Sequence, residues 1–163
     1  PMNDLTKPTI FTIGHGSEPF SDLEQRLTRQ HVQTIIDVRS IPYSKHAPDF
    51  RKKALVGIAA ASGIGYRWLG DRLGGRPDDP ALLSTDGRPD FDKIAATPAF
   101  AAGLDEIEAL SRTSRVALLC SELDPDGCHR MTLLAPALET RGHHIVHILG
   151  DGSGHAHQAG LGI

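Results

Sequence analysis

At 163 residues, with 39% hydrophobic and 23% charged side chains, the chain has the size and composition of one globular domain with its own hydrophobic core. A net charge of −3 argues against a general polyanion-binding protein, because such proteins are usually strongly basic. No apolar run approaches the roughly 20 residues that a membrane-spanning helix needs, so we expect no membrane partner.

Short β-branched segments alternate with amphipathic segments along the chain, and this pattern predicts strands and helices in turn. In chain order the predicted elements are a strand over 9–14, a helix over 21–31, a strand over 34–39, a helix over 49–63, a strand over 64–70, a helix over 97–112, a strand over 115–120, a helix over 128–142 and a strand over 144–149. Residues 71–93 are rich in Gly, Pro and Asp and predict a long irregular segment. Within the last helix, Pro136 predicts a kink.

This alternation predicts an α/β fold, a three-layer sandwich in which helices cover both faces of a mostly parallel sheet, Rossmann-like or flavodoxin-like. One domain accounts for residues 1–163, with 1–8 and 151–163 as loose tails. In open sheets of this class, ligands bind beyond the carboxyl ends of the strands. The residues that follow the predicted strands are therefore the candidates for a functional site.

Polar and small residues concentrate at three of these strand ends. They are Gly14, His15, Gly16 and Ser17 after the first strand, Asp37, Arg39 and Ser40 after the second, and Cys120, Ser121 and Glu122 after the fourth. The turn after the first strand either presents backbone N–H groups to an anion or is only a tight turn that needs glycine. Asp37 and Arg39 share one side of an extended strand, so they form either part of a site or a buried ion pair that organises the sheet end.

The segment LLCSELDPDGCHR, residues 118–130, contains both cysteines of the chain and admits several interpretations. As a metal site it offers four ligands, namely Cys120, Glu122, Cys128 and His129. Their spacing matches none of the tight pairs that are common in zinc sites. A phosphatase-like loop requires Arg six residues after its cysteine, where this chain has Asp126. The interpretation favoured most is an anion pocket, in which Arg130 binds the anion and Glu122 transfers a proton.

The same two cysteines also indicate the cellular compartment in which we expect the protein. Two cysteines in a chain of this size do not make a disulfide scaffold, and Cys120 also suits simple burial at a strand end. The first residues, PMNDLTKPT, lack the basic and then apolar layout of a secretion signal. We therefore expect a cytoplasmic protein with reduced thiols.

Five blocks of sequence lie at or near the predicted strand ends: TIGHGS (12–17), DVRSIPYSKHAPDF (37–50), GIGYRWLGDRLGG (63–75), LLCSELDPDGCHR (118–130) and VHI (146–148). In order and spacing they resemble domain-of-unknown-function family 488. The resemblance covers nearly the whole chain and implies a compact α/β domain from microbial proteins, without a settled biochemical activity. The residues that match its motifs are His15, Gly16, Ser17, Asp37, Arg39, Ser40, Pro42, Ser44, Phe50, Gly74, Gly75, Cys120, Glu122, Cys128, His129 and Arg130.

The leading hypothesis is an enzyme that acts on a phosphorylated or nucleotide-like anionic substrate at the strand ends, without a cofactor. The candidates for acid–base catalysis are Glu122, Asp37, His129 and His15. The candidates for substrate binding are Gly16, Ser17, Arg39, Ser40, Cys120, Cys128 and Arg130.

Two alternatives stay open beside this hypothesis. One is a binding module that recognises a nucleotide-like anion without transforming it, and the other is a metal-dependent protein that uses Cys120, Glu122, Cys128 and His129. A nucleic-acid partner is favoured less, because the basic segment FRKKALVG (50–57) is a single patch on an acidic chain. The sequence favours no particular oligomeric state.

Overall fold

One six-stranded sheet forms the centre of the computed structural model, which describes residues 7–126 and 128–158. Its strands are β1 (Ile10–Gly14), β2 (Thr34–Asp37), β3 (Gly65–Trp68), β4 (Val116–Cys120), β5 (Ile145–Ile148) and β6 (Gly154–Ala156). They lie in the order β3-β2-β4-β1-β5-β6, with β1 to β5 parallel and β6 antiparallel to β5. The α/β class and the mostly parallel sheet are confirmed. The strand order itself differs from the Rossmann order 3-2-1-4-5-6 and from the flavodoxin order 2-1-3-4-5, because β4 lies between β1 and β2.

Helices connect the parallel strands. The α-helices are α1 (Phe20–Arg29), α2 (Lys52–Ala61), α3 (Gly70–Leu73), α4 (Phe91–Ala95), α5 (Pro98–Ser111) and α6 (Ala135–Thr140). Thr97 caps α5, since its side chain accepts a hydrogen bond from the backbone N–H of Phe100. The segment predicted as irregular holds α3, α4 and a short 3₁₀ turn at Pro80–Leu82.

Alternate residues of each central strand face two separate hydrophobic cores. Ile10, Ile36 and Leu118 face one core, which α5 and α6 complete. The side chains next to them in sequence, such as Phe11 and Ile35, face the other core beneath α1 and α2. This two-residue periodicity is why both faces of the sheet are covered, and it produces three layers.

The helix predicted over 128–142 is divided in two. A wide π-helical turn spans Arg130–Leu134, and α6 begins at Ala135, directly before Pro136. Because proline has no N–H and clashes with the preceding helical turn, a widened turn before it is a common accommodation. The kink predicted at Pro136 therefore takes the form of a π-helical turn.

The C-terminal segment departs from the loose tail that the sequence predicts for 151–163. Gly154–Ala156 pairs with β5 as strand β6, and the backbone N–H of His157 donates to Ile145 O at 2.8 Å. His157 Nδ1 also lies 2.8 Å from Nε2 of His147 in β5, and His147 Nδ1 in turn lies 2.6 Å from Thr12 Oγ1 in β1. The sequence does not predict β6, because three residues are too few to show a periodic pattern of apolar side chains.

The two predicted tails are only partly covered by the structure. Residues 1–6 and 159–163 lie outside the described residues. None of the described helices has the length and apolar character needed to cross a membrane.

Candidate functional site

A cavity of about 420 Å³ lies beyond the carboxyl ends of β2 and β4, the sheet edge at which the sequence predicts a site. The residues that line it are Arg39, Ser40, Ile41, Tyr43, Gly75, Arg76, Phe91, Ser121, Glu122, Cys128 and His129. The cavity therefore brings together parts of the second and fourth strand ends, whereas Gly16, Ser17, His15, Asp37, Cys120 and Arg130 are not among its lining residues.

A cluster of two thiols and one imidazole borders this cavity. Nδ1 of His129 lies 4.0 Å from Cys120 Sγ and 3.8 Å from Cys128 Sγ. All three of these atoms lie within 4.8 Å of one another. Cys120 ends β4, and Cys128 and His129 directly precede the π-helical turn, so the strand and the following helix hold the cluster from two sides.

The imidazole of His129 is oriented by the backbone of the sheet. Its Nε2 lies 3.1 Å from the carbonyl oxygen of Val38, which can only accept a hydrogen bond. The hydrogen therefore lies on Nε2, and Nδ1 presents a lone pair to the thiols when the ring is neutral. Both a metal ligand and a catalytic base require this arrangement.

The two thiols differ in acidity. The pKa of Cys128 is lowered, first by a hydrogen bond from the Cys120 thiol and also by the backbone N–H of Arg130. Burial raises the pKa of Cys120. Cys128 is therefore the more acidic thiol of the pair.

Glu122 is the exposed carboxylate of the cavity. It follows β4 by two residues, and its backbone carbonyl is fixed by Arg130 while its side chain remains accessible. Of the four acid–base candidates predicted from the sequence, Glu122 and His129 line the cavity.

Two glycines allow the segment after α3 to approach the cavity. A Cβ atom on Gly74 would lie 2.0 Å from Ser40 Oγ, and one on Gly75 would lie 2.9 Å from the Cβ of His129. Ser40 Oγ also accepts a hydrogen bond from the backbone N–H of Arg76 at 2.9 Å. Ser40, predicted to bind substrate, thus closes one wall of the cavity by holding this segment.

Asp37 and Arg39 form a buried ion pair, which is one of the two alternatives that the sequence left open. Arg39 donates from Nε to Asp37 Oδ1 (2.8 Å) and from Nη2 to Asp37 Oδ2 (2.7 Å), and the side chains are 3% and 0% exposed. The hydroxyl of Tyr66 donates to Asp37 Oδ2 (2.5 Å), and Arg39 Nη1 donates to the carbonyl oxygen of Phe50 (2.7 Å). With these donors engaged inside the protein, Arg39 borders the cavity but does not extend a free guanidinium into it.

His15 supports this ion pair from the interior. It is 1% exposed and stacks on the Phe50 ring with centroids 4.4 Å apart. Burial lowers the pKa of His15 to about 4, so the ring is neutral near pH 7. Nδ1–H donates to Gly16 O (2.7 Å), which leaves Nε2 to accept from Arg39 Nη1 (3.2 Å). The structure thus gives His15 a role in positioning Arg39.

The turn after β1 extends the sheet and does not direct its N–H groups into the cavity. The backbone N–H of His15 donates to Cys120 O (3.1 Å), and that of Gly16 donates to Ser121 O (2.8 Å). Gly16 adopts a φ of +55°, and a Cβ atom on Gly14 would lie 1.6 Å from the carbonyl oxygen of Glu122. These contacts favour the tight-turn interpretation, and Ser17 is exposed to solvent.

Arg130 is fully buried and holds the loop after β4. Its Nη2 donates to Glu122 O (2.6 Å) and to Leu123 O (3.0 Å). Within the described part of the chain, its Nε and Nη1 have no hydrogen-bond partner. The sequence predicts that Arg130 binds an anion in the cavity, but these hydrogen bonds direct its guanidinium to the loop after β4, and Arg130 does not line the cavity. The positive charge instead lowers the pKa of Cys120, against the larger effect of burial.

Six cavity residues are not among the candidates for catalysis or substrate binding predicted from the sequence, namely Ile41, Tyr43, Gly75, Arg76, Phe91 and Ser121. Arg76 and Phe91 belong to the long irregular segment over 71–93, whose length was the available signal. Ile41 and Tyr43 flank Pro42 inside the second sequence block, where nothing in their spacing distinguishes them from an ordinary loop.

Fold and site together define an α/β protein with a thiol–imidazole cluster at the carboxyl ends of a mostly parallel sheet. The family model described as "Domain of unknown function DUF488" matches residues 20–136, and the chain belongs to this family. The resemblance drawn from the five sequence blocks is thereby confirmed, and the matched region runs from α1 through the thiol–imidazole cluster. No curated protein and no solved structure matches the chain.

Proposed function

We propose that the protein is a metal-dependent hydrolytic enzyme in which Cys120, Cys128 and His129 bind a zinc ion beside the cavity. The observation that carries this proposal is that the three potential ligand atoms lie within 4.8 Å of one another. Thiolate sulfur and imidazole nitrogen are the ligand types that zinc prefers in proteins. The contact between His129 Nε2 and Val38 O is the outer hydrogen bond that metal-binding histidines normally make.

The ligand spacing is close to that of a tetrahedral site. With bonds of about 2.3 Å to sulfur and about 2.0 Å to nitrogen, sulfur and nitrogen ligands of zinc lie about 3.6 Å apart. The corresponding distances here are 4.0 Å from Cys120 Sγ and 3.8 Å from Cys128 Sγ to His129 Nδ1. Side-chain movements of a few tenths of an ångström therefore suffice to reach the metal-bound geometry.

The cavity supplies the remaining parts of a hydrolytic site. Three protein ligands are typical of catalytic zinc sites, in which the metal lowers the pKa of a bound water to about 7. Glu122 is an accessible carboxylate in the same cavity, suited to carry a proton between that water and the leaving group. The exposed side chain of Arg76 favours a substrate with a negative charge, such as a nucleotide-like compound. Because zinc binding requires reduced thiols, a cytoplasmic location belongs to this proposal.

Metal analysis of protein purified without an affinity tag tests the proposal. We expect about one zinc per chain, and less than a tenth of that in Cys128→Ser and His129→Ala. His155→Ala is the matched control, because His155 is an exposed histidine on β6, away from the cluster. A wild-type chain that remains free of zinc, iron and other transition metals, even after incubation with zinc salt, would overturn the proposal.

The lowered pKa of Cys128 favours a second candidate function, an enzyme that uses the Cys128 thiolate as a nucleophile without a metal. His129 would then act as the base or acid beside it. This candidate predicts metal-free protein in which iodoacetamide labels Cys128, which lines the cavity, before Cys120, which is fully buried. Bound zinc predicts the reverse, namely protection of Cys128 that a chelator removes.

A further inference from the structure

We propose that a basic–aromatic patch beside the cavity binds single-stranded nucleic acid and so delivers a nucleotide to the site. The patch consists of Tyr43, Lys45, Arg51, Lys52, Lys53 and Trp68. The inference rests on the proposed function for the fate of the delivered nucleotide, whereas binding by the patch is measurable without turnover.

The patch is continuous with the cavity. Tyr43 lines the cavity and is 54% exposed, and its neighbour Ile41, also in the lining, is 66% exposed. The loop that carries them is held to the start of α2, because the backbone N–H of Lys52 donates to Pro42 O at 2.8 Å. A strand bound on the patch would therefore lead directly into the cavity.

Two cations on this surface lie against aromatic rings. The guanidinium of Arg51 lies 4.8 Å from the centre of the Tyr43 ring, and Nζ of Lys52 lies 4.4 Å from the centre of the Trp68 ring. Arg51 Nε also donates to Ser44 O at 3.2 Å, which fixes its direction. Proteins that bind single strands combine such cations, which contact phosphates, with aromatic rings on which bases stack.

Positive charge is concentrated here on a chain whose net charge is −3. Residues 40–53 contain four lysine and arginine side chains and one carboxylate, Asp49. That carboxylate accepts a hydrogen bond from the backbone N–H of Phe20 at 2.9 Å, at the start of α1. The whole-chain charge, which disfavours a nucleic-acid partner at the level of sequence, therefore conceals a local surface of opposite sign.

The positive charges of Lys52 and Lys53 are disfavoured by the helix that carries them. Lys52 and Lys53 begin α2, and no acidic residue lies in its first turn. Cations at this end of a helix are disfavoured by the helix dipole. Reversing their charge improves the interaction with the helix dipole, which offsets the lost contact between Lys52 and the Trp68 ring, while it removes phosphate contacts.

Fluorescence anisotropy with a labelled 20-nucleotide single-stranded DNA, and with RNA of the same sequence, tests the proposal on the full chain. We expect Lys52→Glu/Lys53→Glu to weaken binding at least tenfold and to reduce the slope of log K against log salt by about 1.4. Tyr43→Ala should weaken binding about tenfold with little change in that slope, because it removes stacking and not charge. Arg88→Glu/Arg112→Glu, at two exposed cations outside the patch, is the matched control.

The outcomes separate this inference from the proposed function. Failure of the wild type to bind either strand below about 100 μM at low salt overturns the inference, and so does equal weakening by the control variant. Preferential binding of a polyglutamate peptide over both strands would assign the patch to an acidic protein partner and also overturn it. Metal content is read independently on the same samples, so nucleic-acid binding by metal-free protein refutes only the zinc proposal. A melting temperature of Lys52→Glu/Lys53→Glu no lower than that of the wild type shows that lost binding is not unfolding.

Discussion

Nε2 of His129 lies 3.1 Å from the carbonyl oxygen of Val38, the residue directly after β2. The backbone N–H of Val38 in turn donates to Leu119 O in β4 at 3.2 Å. The imidazole that faces the two thiols is thus oriented by the backbone of the two strands whose ends form the cavity. This connection makes the direction of Nδ1 a property of the sheet and not of a mobile loop.

Replacement of Glu122 by Gln tests its proposed role in proton transfer. Gln keeps the shape of the side chain but cannot take up a proton, so turnover should fall at least about 100-fold. Zinc content and melting temperature should stay at wild-type values, because the side chain is exposed. Release of phosphate or ammonia from a panel of nucleotides measures the effect. Asp126→Asn, an exposed carboxylate in the same loop, is the control.

An unchanged rate in Glu122→Gln would remove this carboxylate from the reaction. If the wild type binds nucleotides in thermal-shift measurements but yields no product on long incubation, the non-catalytic binding module becomes the better description.

Asp37→Asn should destabilise the protein severely. The change removes the charge that pairs with Arg39 and leaves a guanidinium that is 3% exposed without its counter-ion. Breaking a buried ion pair in this way typically costs about 3–5 kcal/mol in the free energy of unfolding. Urea denaturation measures the loss, and Asp71→Asn, whose side chain is 53% exposed, should stay within about 0.5 kcal/mol of the wild type. A loss below about 1 kcal/mol for Asp37→Asn would return Asp37 to the list of catalytic candidates.

The sequence predicts the layers of this fold well because each layer leaves a periodic pattern. The runs around Ile36 and Leu118 are apolar at successive positions, which is the mark of strands buried on both faces. Strand order leaves no such pattern, since it depends on which crossover passes over which strand. The sequence therefore does not predict that β4 lies between β1 and β2. Nor does it predict β6, which has only three residues.

A cavity lies at the sheet edge that the sequence singles out, but several of the residues predicted there do not line it. Listing the residues after each strand points to this edge, because parallel strands end together. The same list cannot tell whether Arg39 and Arg130 point into a cavity or donate to carbonyl groups and carboxylates inside the protein. The spacing of the cysteines in the sequence disfavours zinc, because it matches none of the common pairs of zinc ligands. In the structure, however, Cys120 and Cys128 lie close together although seven residues separate them in the sequence.

Gly14→Ala and Gly57→Ala should shift stability in opposite directions. A Cβ atom on Gly14 would lie 1.6 Å from the carbonyl oxygen of Glu122 and 2.7 Å from Arg130 Nη2, so the loop after β4 must move. We expect a loss of about 3 kcal/mol or more in the free energy of unfolding, together with loss of bound zinc. Gly57 lies within α2 with nothing inside 4 Å of its added Cβ, and alanine there should add up to about 1 kcal/mol. Chemical denaturation of both variants decides the point, and equal values would contradict the close contact at Gly14.

Two buried histidines should make the protein less stable in mild acid. Burial lowers the pKa of His15 and of His147 to about 4, from an ordinary value near 6.5. Above pH 6.5 both rings are neutral in the folded and the unfolded chain, and the shift has no effect. As the pH falls from 6.5 towards 4, the unfolded chain binds protons that the folded chain does not, so the free energy of unfolding decreases.

The size and origin of this acid effect can be measured separately. At pH 5 the shift corresponds to a loss of about 2 kcal/mol for each histidine relative to pH 7. Urea denaturation at the two pH values gives the total, and His147→Gln should reduce the difference by about that amount, because glutamine does not titrate. His155→Gln is the matched control, since His155 lies on β6 with its side chain exposed. If His147→Gln and His155→Gln change the pH dependence equally, the burial of the Thr12–His147–His157 contacts does not control it, and acid sensitivity must originate elsewhere in the sheet.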